Sequence, residues 1–227
     1  MFTAPLKKLA LAASCVFALT GTTAQAAFVT LNEAGMDAVF SQPSILAKGL
    51  GAIDIRYGAV TELVAPNLLD IDTSAELFSL FSNHVGSAIE ATFYYVDTIS
   101  WCGSFNVNIV GCGETPGNDF VVESSFAAGS SGTELLAHEL AHNLGLLHRS
   151  GGLMDPVLNG DTTLNASEVD TIFASNLVQS DQQGYYITIN PVLVVAQMSQ
   201  VPLPASGLLL LGGLGLLGAA RRRQKTA

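Results

Sequence analysis

The chain has 227 residues, about half of them hydrophobic, and its nine cations against nineteen acids give a formal net charge of −10. Lys7, Lys8, Arg221, Arg222, Arg223 and Lys225 sit near the ends, so residues 27 to 200 keep only Lys48, Arg56 and Arg149 and a net charge of about −16. Such an acidic body excludes nucleic acid as a partner, and the length suits one domain with targeting segments.

Residues 1–26 read as a secretory signal: Lys7 and Lys8, an apolar run from Leu9 to about Thr20, then Ala24-Gln25-Ala26 as an A-x-A cleavage site. Export removes Cys15 and leaves Cys102 and Cys112, an even pair expected to close a disulfide around the segment from Trp101 to Gly113; two free thiols are the alternative. From Thr30, the spacing of Leu31, Ala34, Met36, Ala38, Val39 and Phe40 predicts a helix that ends before Pro43. Ile53, Ile55 and Tyr57 alternate as in a strand. Asp72 or Thr73 caps a second helix to about Ser82, with Leu77, Leu80 and Phe81 inward and His84 at its end, facing the helix dipole. Thr92 to Ile99, rich in β-branched and aromatic residues, predicts a central strand. Residues 113–117 predict a turn and Phe120 to Glu123 a short strand.

Three of the four histidines lie in His138-Glu-Leu-Ala-His142-Asn-Leu-Gly145-Leu-Leu-His148. On a helix, His138 and His142 share one face and can bind one ion. Glu139 lies about 100° round the helix, close to that ion without ligating it, where a general base belongs. A third helical ligand would fall at 145 or 146, but the next histidine is His148. Gly145 tolerates positive φ, so the chain can leave the helix there and double back. Three protein ligands leave a tetrahedral zinc one open position, as catalytic sites do. Leu136, Leu140 and Leu144 form an apolar stripe opposite, and Ser131 with Glu134 reads as the capping box that starts this helix.

These eleven residues resemble the zinc signature of the metzincin metalloproteases, H-E-x-x-H-x-x-G-x-x-H. Gly152-Leu153-Met154-Asp155-Pro156 lies where that family has its Met-turn, which implies Met154 as a packing floor beneath the ligands. Pro156 stands where astacin- and serralysin-like members have tyrosine, and Arg149 where the snake-venom-like branch has Asp. The resemblance implies an α/β (α+β) zincin fold over residues 27–198: a twisted mixed sheet, a zinc-bearing helix and a C-terminal helix. It also makes Phe120 to Ser125 the expected sheet edge for an extended substrate.

Asn165 with Glu168 predicts a capped helix from about Ala166 to Val178, and Tyr185 to Val195 a final strand or a stem to the tail, at an edge because of Pro191. In the tail, residues 199–227, Pro202-Leu203-Pro204 precedes an apolar stretch to Ala220 and then three arginines. This resembles the PEP-CTERM sorting signal, with Leu203 where the family usually has Glu. It implies membrane anchoring through the tail until an exosortase-like enzyme processes it.

The resulting expectation is an exported zinc metalloendopeptidase, with His138, His142 and His148 as ligands and Glu139 as general base toward a peptide or protein substrate. The rivals are a zinc hydrolase of a non-peptide substrate and a surface or matrix protein that keeps zinc for stability.

Overall fold

The structure, a computed structural model, describes residues 28–197. The expected signal segment and the sorting tail lie outside the described residues. Helix α1 (Glu33–Val39) buries Met36 and Val39. It starts later than the sequence pattern predicts, because the carbonyls of Thr30 and Leu31 are taken by the hydroxyls of Tyr95 and Tyr57 instead. A one-turn α2 (Pro43–Leu46) follows, its proline at a position where a missing N–H costs nothing. Strands β1 (Ile53–Tyr57), β2 (Thr61–Val64) and β3 (Asp70–Ile71) lead to α3 (Ser74–Phe81). Thr73 is its cap: the hydroxyl accepts the Glu76 N–H, and the Glu76 carboxylate accepts the Thr73 N–H.

The chain continues through β4 (Ala91–Val96), β5 (Thr98–Ile99), the hairpin of β6 (Trp101–Cys102) and β7 (Ser104–Phe105), β8 (Gly111–Gly113) and β9 (Asp119–Glu123). A short α4 (Ser124–Ala127) and α5 (Gly132–Asn143) come next. A long irregular loop then reaches α6 (Ala166–Ala174), followed by β10 (Gln179–Asp181) and β11 (Gly184–Val195).

Seven strands make one mixed sheet in the order β1-β11-β4-β9-β8, with β2 and β10 also on β11. β11 runs parallel to β1, β2 and β4, and β4 parallel to β9; β8 and β10 are antiparallel to their neighbours. Helices cover both faces, so β4 is buried along its whole length. Period-two alternation divides its side chains. Phe93 and Tyr95, with Phe120 and Val122 of β9, pack in the core shared with α1, α5 and α6. Tyr94, Val96 and Val121 pack in a second core with Leu77 and Leu80 of α3. The architecture is thus mixed α+β.

Two strands are not where the sequence pattern puts them. β11 is internal rather than at an edge. It pairs with β1 through Tyr185 to Ile189 and with β2 through Val192 to Val195, and between them, at Asn190 and Pro191, that flank is unpaired. The sheet therefore needs no N–H from Pro191 there. β9 lies between β4 and β8, so Phe120 to Ser125 is not the free edge; Gly111–Gly113 is. Helix α6 has its predicted capping box at Asn165 and Glu168 but ends at Ala174, where Ser175 turns extended and allows Leu177 to enter the core.

Candidate metal centre

Helix α5 crosses the core, with nearly every residue buried. Leu136, Leu140 and Leu144 are buried as the stripe predicts, yet the histidine face is covered too, leaving His138 5 % and His142 8 % exposed. The reason is the loop after the helix, which folds back over that face. Ser131 makes no side-chain cap; the buried carboxylate of Glu134 instead accepts the N–H groups of Asn159 and Gly160 at 2.8 and 2.9 Å, binding the start of α5 to that loop. At the other end, the Asn143 amide donates to the carbonyls of Glu114 and Asp119.

The helix stops in a paired turn. Gly145 N–H donates to His142 O and Leu146 N–H to Ala141 O, with Gly145 at φ +99°. These two bonds satisfy carbonyls the helix leaves free, and the conformation favours glycine at that point. The chain then doubles back and brings His148 to the pair on α5. His148 Nε2 lies 3.1 Å from Nε2 of His138 and 3.1 Å from Nε2 of His142, and ligand atoms of all three lie within 4.8 Å of one another.

The other ring nitrogens explain what these contacts are. His138 Nδ1 donates to Leu153 O at 2.7 Å and His142 Nδ1 to Leu146 O at 2.8 Å. A carbonyl only accepts, so each Nδ1 carries the proton and each Nε2 presents a lone pair. Burial pushes the His142 pKa down to about 4 and lowers that of His138, more than the carbonyl bonds raise them, so both rings stay neutral near pH 7. At most one of the two close nitrogen contacts can hold a shared proton, because His148 Nε2 is common to both. Lone pairs converging at this spacing suit a cation, since four-coordinate ligands at about 2.0–2.1 Å from one ion sit about 3.3 Å apart. The three histidines could hold a metal ion.

Glu139, next to His138, is buried on the same helix. Burial pushes its carboxyl pKa up to about 8, with the Gly113 backbone N–H drawing it back. Its seat is β8. A Cβ on Gly111 would lie 2.4 Å from Glu139 Oε1, and one on Gly113 would lie 3.3 Å from Oε2. These alternate residues turn a face without side chains toward the helix. The strand was missed in the sequence, where Gly111-Cys112-Gly113 alternation was the available signal. Cys112 of β8 is bonded to Cys102 of β6, with Cα atoms 5.7 Å apart.

Met154 is fully buried in the core with α5, in a tight turn closed by Asp155 N–H to Gly152 O. The carbonyl before it, Leu153 O, is the one that orients His138. His84 stands apart from the trio. It does not serve the end of α3; Nδ1 lies 3.0 Å from both Asp119 Oδ1 and Thr92 Oγ1, because buried Asp119 needs a partner there.

A family model for the PEP-CTERM protein-sorting motif matches residues 200–224. No curated protein matches the chain. The motif marks the chain for export with a C-terminal tail that anchors to the membrane before processing, and implies an exosortase-like processing enzyme. Among the described residues, no helix is long and apolar enough to cross a membrane.

Proposed function

We propose that the chain is an exported zinc metalloendopeptidase of metzincin type. The observation that carries this reading is the convergence of three imidazole nitrogens, with a buried carboxylate next to the first of them on the same helix and outside the ligand cluster. A structural site has no use for such a carboxylate. A divalent cation bound by His138, His142 and His148 would supply Lewis acidity, polarising a carbonyl oxygen and acidifying water. Zinc is the ion best matched to three neutral imidazoles with one position left open.

Glu139 then has the work of a general base. It takes a proton from the attacking water, and the resulting acid returns that proton to the leaving amine as the C–N bond breaks. Its low-dielectric surroundings disfavour the carboxylate, which suits a group that must both accept and release a proton. Leu146 O and Leu153 O keep two imidazoles oriented through the cycle. The edge position of β8 supports peptide as the substrate class, since an extended chain can add to it as a further strand through the outward groups other than the Gly113 N–H, which Glu139 holds. This edge replaces Phe120 to Ser125 in that role.

Metal analysis of the purified protein together with a peptide library tests the reading. Glu139→Gln is expected to keep one zinc per chain and lose hydrolysis by at least about a hundredfold. Zinc retention with unchanged hydrolysis overturns the role of Glu139, and cleavage of esters or non-peptide amides alone overturns the substrate class.

A further inference from the structure

His148 has no helix or strand of its own. It lies in the irregular stretch after Gly145 and is the exposed member of the trio, whereas its partners are fixed by a buried helix. One backbone bond, Arg149 N–H to Met154 O at 2.9 Å, ties the chain beside it. The Arg149 side chain makes a stronger anchor. Its Nε and Nη2 donate to Glu168 Oε1 and Oε2 at 2.5 and 3.1 Å, and Nη2 also reaches Thr163 O at 3.3 Å. Glu168 is itself held: it is buried in the first turn of α6, and Oε2 accepts the Asn165 N–H at 2.7 Å. A two-pronged guanidinium–carboxylate contact sets orientation as well as distance.

Two further observations fit an anchor. A Cβ on Gly152 would lie 2.1 Å from Arg149 Nη2, so glycine there leaves the path of the guanidinium open. A lone cation beside a metal site would repel the ion, and the Glu168 carboxylate cancels that field at contact distance.

We propose that Arg149 is a positioning residue for His148, holding the third imidazole in place through its two-pronged contact with Glu168 on α6. The proposal rests on the reading that the three histidines hold a metal ion. The test uses the full chain, purified in detergent and stripped of metal. Zinc affinity is read by competition with a chromophoric chelator, and cobalt(II) is added separately for its visible absorption spectrum. Arg149→Ala and Glu168→Gln are each expected to weaken zinc binding roughly ten- to a hundredfold and to change the cobalt bands. Arg149→Lys keeps the charge without the planar fork and should fall between parent and alanine, which serves if the alanine variant does not fold. Arg56→Ala breaks a contact to Asp54 and Asp181 on β1 and β10 and should leave zinc affinity unchanged. His148→Ala is the reference. If it leaves zinc affinity unchanged, the metal-site reading fails and this inference with it. If it abolishes binding while the Arg149 and Glu168 variants match the parent in affinity and spectrum, the positioning role alone is overturned, whatever happens to their melting temperature.

Discussion

Glu139 is a carboxyl taken out of water and given one backbone N–H in return. Its position depends on what is missing opposite it, the side chains of Gly111 and Gly113. Gly111 has no positive φ, so an alanine there meets no backbone strain and acts only through its methyl group. Gly111→Ala is therefore expected to push the Glu139 carboxylate aside and cut hydrolysis by at least about tenfold, since a general base must be within hydrogen-bond reach of its proton. Zinc content should stay at one per chain. Metal analysis beside peptide turnover checks this, and full turnover in the variant would sink the idea that β8 seats the base. The clustering of His138, His142 and His148 was legible in the sequence because metal chemistry admits few residue types at few spacings. Their supports were not. Leu146 and Leu153 act through carbonyls, which every residue has, and Glu134 serves a distant loop with the spacing of a local cap.

At the scale of elements, β8 is three residues long and lies at a sheet edge, held by β9, by its disulfide and by α5 through Glu139. Closing the loop from Cys102 to Cys112 removes about 2 to 3 kcal/mol of unfolded-chain entropy. Replacing both cysteines with serine should lower Tm by roughly 4 to 12 °C for a domain of this size. Calorimetry with and without reductant reads this directly, and a parent Tm unaffected by reductant would contradict it. Local patterns found the helices well, since Thr73 with Glu76 and Asn165 with Glu168 are reciprocal caps written within four residues. Strand order was less readable. Pro191 argues for an edge only if the neighbouring strand is continuous, and here that flank is served by two strands with a gap between them.

For the whole molecule, the ion would join parts distant in sequence: α5, the returning chain at His148 and, through Leu153 O and Glu168, the loop and α6 beyond it. Binding to the folded chain alone adds stability by mass action, about 4 kcal/mol at a thousandfold excess over Kd. Chelation is thus expected to lower Tm by roughly 8 to 16 °C, with recovery on adding zinc. A Tm indifferent to chelator would mean that the histidines hold no ion. The position of β11 has a different consequence, one of timing. Residues 184–195 are the last of the body to emerge, yet they alone join β1 to β4, β9 and β8. Until they arrive, the two halves of the sheet have nothing between them. The sheet can close only once residues 184–195, which come just before the sorting motif at 200–224, are available to it.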